Sequence, residues 1–165
     1  MKRTSIIYAI ISIIGISSCQ QAKKVNEKNM PDQQAEVLLP KGNKITSPYF
    51  TGTAWFQPMI DNDSTLHAKM GNVTFEPKAR TNWHTHPGGQ ILIITNGVGY
   101  YQEKGKAAQL LRKGDFVEIP PNTVHWHGAA PDDEFAHIAI SLNTDEGAVI
   151  WLQPVTDEEY SHSTK

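Results

Sequence analysis

His84 and His86 stand two residues apart, Gln90 follows four further on, and His125 is remote from all three. In an extended strand, residues i and i+2 point to one face, so both imidazoles can meet a single ion. Pro87-Gly88-Gly89 is a turn that lets the chain double back before Gln90, whose side-chain carbonyl is a hard oxygen donor. His125 has to arrive on another strand. Three imidazoles and one neutral oxygen, with coordination positions left open, describe a site for one divalent metal ion and a small-molecule substrate together. Four neutral ligands leave the ion its formal +2, which makes it a stronger Lewis acid than the same ion in a carboxylate site.

A second chemistry-bearing pattern lies downstream. In Phe135-Ala136-His137-Ile138-Ala139-Ile140-Ser141, strict alternation puts His137, Ala139 and Ser141 on one face and the isoleucines on the other. With the small and polar face turned inward, His137 looks toward the ion and can accept a proton from a hydroxyl acidified by it. His127 shares the parity of His125 and either enters the same pocket or bonds to backbone. His67 and His162 carry no such signal. Trp83, Trp126 and Trp151 read as packing residues, since large aromatics fill the walls of small barrels.

The elements that must position these side chains are short strands. Tyr49 to Ile60 and His67 to Phe75 are parted by the turn-forming Asp61-Asn62-Asp63-Ser64. Gln90 to Thr95 stops at Asn96-Gly97, a strong turn dipeptide, and Val98 to Gln102 and Ala107 to Leu111 flank a hairpin loop at Glu103-Lys104-Gly105-Lys106. Phe116 to Ile119, Thr123 to His127, Glu134 to Leu142 and Ala148 to Leu152 complete the series. This density of strands predicts an all-β sandwich or barrel. Thr156-Asp157-Glu158-Glu159 fits a capping box and predicts a short C-terminal helical turn.

Composition narrows the function further. A formal net charge of −2, with 15 basic residues scattered along the chain, excludes nucleic acid as an expected partner. The one cysteine, Cys19, allows no internal disulfide and supplies no thiolate to the site. It closes an N-terminal segment of its own: basic Met1-Lys2-Arg3, an apolar stretch from Ser5 to Ile16, then Ile16-Ser17-Ser18-Cys19. That stretch is too short for a permanent membrane helix, which needs about 20 residues, and has the layout of a secretory signal. Its end resembles the bacterial lipoprotein lipobox. The resemblance implies a signal peptide over residues 1–18, acylation of Cys19, a polar tether to residue 43, and a folded domain over residues 44–165. The expected location is the cell envelope, with Gln20 favouring the outer membrane and attachment through lipid alone.

The spaced residues around the candidate ligands resemble a known pair of motifs. His84-Thr85-His86, Gln90 and Gly97 look like the first motif of the cupin superfamily, and Gly114, Pro120 and His125 like the second. Lys78 stands where the first motif opens with glycine, Gln90 where it carries glutamate, Asn122 at the second motif's inner glycine, and Ala129 at its closing asparagine. The wider stretch from Tyr49 to Tyr160 is similar to small bacterial metal-dependent cupins. These include manganese hydroxynitrile lyases, (R)-mandelonitrile-lyase-like proteins and cupins associated with carboxymuconolactone decarboxylase. The resemblance implies a compact jelly-roll barrel and one divalent ion, manganese by analogy with iron, zinc or nickel as alternatives, on His84, His86, Gln90 and His125. It implies His137 as general base, Thr81 in the pocket wall, and pairing of two copies, and Val73, His127 and Ser141 are the further residues expected to wall the pocket. Ser141 replaces the glutamine that the known lyases carry. The expected activity is metal-assisted acid–base chemistry on a small hydroxy or carbonyl compound, with hydroxynitrile cleavage as the reaction the family represents best. An iron-dependent dioxygenase and a non-enzymatic metal-dependent binder are the alternatives.

Overall fold

The computed structural model describes residues 39–63 and 65–164. The expected signal segment, Cys19 and most of the tether lie outside the described residues. Twelve strands, all paired antiparallel, curl into the jelly roll the sequence predicts: β1 (Asn43–Lys44), β2 (Phe50–Thr51), β3 (Ala54–Asp63), β4 (Ala68–Phe75), β5 (Arg80–Thr81), β6 (His84–Thr85), β7 (Gln90–Glu103), β8 (Gln109–Arg112), β9 (Phe116–Ile119), β10 (His125–Ala129), β11 (Phe135–Ser141) and β12 (Ile150–Trp151). One layer runs β1-β3-β4-β11-β7-β9 and the other β2-β5-β10-β7-β8, with β6 lying between β10 and β12.

The first half of β7 belongs to one layer and its second half to the other. Ile91 to Ile93 pair with β11 and β9, whereas Gly99 to Tyr101 pair with β8 and β10. The turn expected at Asn96-Gly97 is therefore a bend inside one strand of 14 residues, not a hairpin. The dipeptide's left-handed tendency is used, with Gly97 at φ 69°, but the chain continues forward because each half finds its own partners. Register slips by one residue beside it, between Ala136 and His137 of β11.

Two other boundaries shift. The expected strand from Tyr49 to Ile60 is broken at Gly52 into β2 and β3, and β3 runs on through Asp63, so the turn expected at Asp61 to Ser64 falls later. Ladder pairing with β4, carried through irregularities near Pro58 and Ile60, overrides the turn preference of those polar residues. At the other end, Asn43 already pairs with Phe56, and the Pro40 carbonyl accepts a hydrogen bond from Asn72 Nδ2 at 3.2 Å.

The apolar core sits inside the barrel around Phe75, Leu92, Ile94, Tyr101, Val117 and Phe135. A second cluster, Trp83, Trp126, Val155 and Tyr160, lies beneath the C-terminal helix α1 (Asp157–Ser163). The capping box is present as predicted: Thr156 Oγ1 accepts from Glu159 N at 3.1 Å, and Glu159 Oε2 accepts from Thr156 N at 2.9 Å. Buried Arg80 fastens this helix, donating to the Val155 carbonyl and to Asp157 Oδ1 while stacking on Tyr160.

Candidate metal centre

His84 and His125 are direct register partners across β6 and β10, with ring centroids 4.1 Å apart. The ladder thus performs the convergence that sequence separation hides. His86 follows just past β6 and sets its ring edge-on to His84, centroids 5.2 Å apart. The turn after it closes through Gly89 N to the His86 carbonyl at 3.1 Å, which returns the chain to Gln90 at the start of β7. Gln90 Oε1 then lies 3.3 Å from His125 Nε2. All four residues are buried.

Hydrogen bonding fixes which nitrogen each ring presents. Nδ1 of His84 faces the Asn82 carbonyl at 2.9 Å, Nδ1 of His125 faces the Thr123 carbonyl at 2.8 Å, and Nδ1 of His86 faces the Ala148 carbonyl. A carbonyl only accepts, so each Nδ1 carries the proton and each Nε2 is left as a bare lone pair. Burial keeps these rings neutral. It pushes His84 well below the ordinary imidazole range, lowers His86, and lowers His125 to about 4, with only partial opposition from the carbonyl each ring faces.

Two consequences test the fit to a cation. His86 Nε2 is buried with no hydrogen-bond partner among the described residues. His125 Nε2, its proton committed on the other side of the ring, meets the amide oxygen of Gln90, so two acceptors confront each other. Lone pairs turned toward one point are repulsive until a cation stands between them, and neutral imidazole nitrogen with amide oxygen is a donor set that first-row divalent ions accept. The residues fit a divalent metal ion.

His127 enlarges the cluster. Among the described residues, ligand nitrogens of His84, His125 and His127 all lie within 4.8 Å of one another. Unlike the other three rings, His127 Nδ1 faces no backbone carbonyl. It meets Nε2 of His137 at 3.1 Å, the rings perpendicular with centroids 4.6 Å apart. Thr81 holds the His127 main chain, its hydroxyl accepting from His127 N at 3.2 Å and donating to the His127 carbonyl at 3.3 Å. Burial drives His127 well below the imidazole range and His137 to about 3.

A cavity of about 350 Å³ opens beside these rings. Thr81, Val73, His127 and Ser141, the four expected pocket residues, all line it, as do His84, His86 and Gln90. His125 and His137 do not. His137 is fully buried, packed against Phe75 and Phe135, and reaches the cavity only through His127. Trp83 and Trp126 are packing residues as expected, but Trp151 is a cavity wall, stacked on Tyr49 at 4.9 Å and equally close to His84. Trp151 pairs with His84 across β12 and β6. Lys69 also lines the cavity, a position no sequence motif marks, although alternation from Val73 through Gly71 puts it on the same face. His67 and His162 lie at the surface.

A closed antiparallel jelly roll with a histidine centre inside it defines a class, and comparison with known proteins agrees. The sequence pattern of the cupin domain matches residues 71–141. A relative named (R)-mandelonitrile lyase, from Granulicella tundricola, is 46% identical over 117 residues, covering 71% of this chain and 89% of its own length. A solved structure of a cupin-like protein from Thermotoga maritima superposes with a TM-score of 0.76 at 51% identity, covering 78% of this chain and 97% of that one. An acireductone dioxygenase from Alcanivorax borkumensis is 31% identical over 65 residues, 38% of this chain and 36% of the relative. The chain belongs to the cupin superfamily.

Proposed function

We propose that this cupin is a metal-dependent, lyase-like enzyme that breaks a carbon–carbon bond next to a hydroxyl group in a small hydroxy compound, or runs the reverse addition to a carbonyl. His84, His86, Gln90 and His125 would hold the ion. A divalent ion on these neutral ligands supplies Lewis acidity to the substrate oxygen. His127, presenting its ring to the cavity, takes the hydroxyl proton at Nε2. Its Nδ1–H donates to His137 Nε2, which fixes the tautomer and orientation of His127 and spreads the positive charge it gains. The base expected at His137 is thereby divided between two rings, with His127 in contact with substrate and His137 as its positioning partner. The apolar walls, Val73 and Trp151 among them, exclude water from the leaving group. The (R)-mandelonitrile lyase relative supports this reading, because a cyanohydrin parts into an aldehyde and hydrogen cyanide by this proton transfer.

The observation that carries the reading is the confrontation of His125 Nε2 with Gln90 Oε1 beside the His127–His137 pair. The acireductone dioxygenase match supplies a second reading, an iron-dependent dioxygenase in which the same residues would hold iron and the ion would supply oxygen activation. Elemental analysis of natively purified protein, followed by a panel of cyanohydrins and hydroxy or carbonyl compounds under air and under nitrogen, separates the two. Lyase turnover persists without oxygen, and turnover abolished under nitrogen rules it out. Cys19, lipidated after signal cleavage, would tether the domain to the cell envelope, and incorporation of labelled palmitate into wild type but not Cys19→Ser checks this.

A further inference from the structure

Lys69, Ser141 and Gln90 form one row across three neighbouring strands. Lys69 on β4 is the register partner of Ser141 on β11, and Ser141 is the register partner of Gln90 on β7. All three line the cavity. Adjacent strands are about 4.8 Å apart, so the row places the ammonium stem roughly 10 Å from the glutamine backbone, with a serine hydroxyl between them. Ser141 Oγ is 3.2 Å from His86 Nδ1, which ties the middle of the row to the metal ligands. The next row is Gly71 and Ala139, which also line the cavity, with the Phe56 ring standing over Gly71.

Charge along this wall is one-sided. Among the described residues that line the cavity, Lys69 is the one with a formal charge, and no carboxylate faces inward. The ion, on neutral ligands, adds its own positive charge. Lys69 Nζ pairs with Asp61 Oδ1 at 3.1 Å, but the side chains are 41% and 78% exposed, and a pair this wet is weak and readily exchanged. A cationic cavity with a hydroxyl at mid-wall and a lysine toward the opening is complementary to an anion reaching outward from the ion.

We infer that the substrate carries a carboxylate, gripped by Lys69 and Ser141, so that its class is a small 2-hydroxy or 2-oxo carboxylate rather than a neutral cyanohydrin. This rests on the proposed metal-assisted chemistry for its other end. Ser141 matters to it directly: its short side chain lines the cavity and presents a hydroxyl beside Lys69.

Mandelate and mandelamide, which share shape and differ in charge, test the inference by calorimetric titration into metal-loaded and metal-free protein. Wild type should bind mandelate about tenfold or more tightly than mandelamide, the ratio a charge-assisted hydrogen bond gives. Lys69→Met should remove most of that preference in the metal-free form, where the ion contributes no charge of its own, Lys69→Arg should keep it, and Asp61→Asn should not weaken it. Equal binding of the two compounds by wild type, binding of neither, or a metal-free preference untouched by Lys69→Met overturns the inference. If the chain takes up no divalent ion at all, the enzymatic reading fails separately, and the metal-free titrations still decide the role of Lys69.

Discussion

His137 and His127 meet through a single contact, Nε2 to Nδ1 at 3.1 Å, in a wall from which solvent is excluded. The other nitrogen of His137, Nδ1, is buried with no hydrogen-bond partner among the described residues. A neutral imidazole pair has one proton for that contact, so the orientation of the cavity-facing ring depends on its partner. His127→Ala and His137→Ala should each lower kcat about 10²–10⁴-fold. The double variant should lose little more than either single one, because the two rings act as a unit. Full additivity in steady-state kinetics would separate their roles.

The two overlapping donor sets make opposite predictions about metal retention. If His86 is a ligand and His127 is not, His86→Ala should strip the ion during native purification while His127→Ala keeps it near one equivalent. Gln90→Glu adds a negative charge to the set. It should raise ion affinity and lower kcat, as the ion's Lewis acidity falls. Elemental analysis of the three variants beside wild type reads the first outcome, and chelator competition reads the second.

Removal of the ion should expose an acid sensitivity. His84, His86, His125, His127 and His137 are all held below the ordinary imidazole range, His125 to about 4 and His137 to about 3, chiefly by burial. Above about pH 6.5 neither folded nor unfolded chain protonates these rings, and they add no pH dependence. Below it the unfolded chain binds protons that the native one refuses, so stability falls as pH drops from about 6.5 toward 4 and then 3. At pH 5 the loss approaches about 2 kcal/mol for each of His125 and His137, and the other three rings add to it in the same direction. Urea midpoints of chelator-treated protein at pH 7.5, 6 and 5 should therefore decline steeply. A flat profile would show that the rings are accessible to protons in the native state.

How much of this was legible in the sequence depends on the kind of signal. Ligand types, the His84–His86 parity and the capping box at Thr156 are local, and they stand where alternation and side-chain chemistry put them. Lys69 was equally readable by parity with Val73, but a lysine on a strand attracts no attention until the cavity shows which face is inside. Trp151 and the Ala148 carbonyl come to the site through β12 and the segment before it, and neither has a local pattern that announces this. Asn122, at the second motif's usual glycine, adopts φ 61°, and Lys78, where the first motif opens with glycine, adopts φ 69°. The turn geometry is thus kept without the residue that favours it. The substitution of a partner ring for direct contact at His137 was not legible, because parity fixes a face and not a depth.

Gly97 shows why a bend in place of the expected hairpin matters to the site. Its φ is 69°, and a Cβ there would fall 1.7 Å from the Glu134 carbonyl oxygen, which also accepts from Val98 N at 3.0 Å. Backbone cannot yield as a flexible side chain would, so Gly97→Ala has to displace the β7–β11 junction. Gly105, in the β7–β8 hairpin, has an equally positive φ of 83° but nothing within 4 Å of its Cβ position. Gly105→Ala should therefore cost only the conformational term, about 1 kcal/mol, whereas Gly97→Ala should cost that and more, on the order of 3 kcal/mol or above. The bend at Gly97 sends one half of β7 to carry Gln90 beside β11 and the other to pair with β10, which carries His125. Displacing it should loosen the Gln90–His125 approach as well, so Gly97→Ala should lower metal affinity while Gly105→Ala leaves it unchanged. Thermal unfolding with and without added ion, run on both variants, checks the two effects together: a Gly97→Ala protein that is less stable yet binds the ion as wild type does would uncouple the bend from the site.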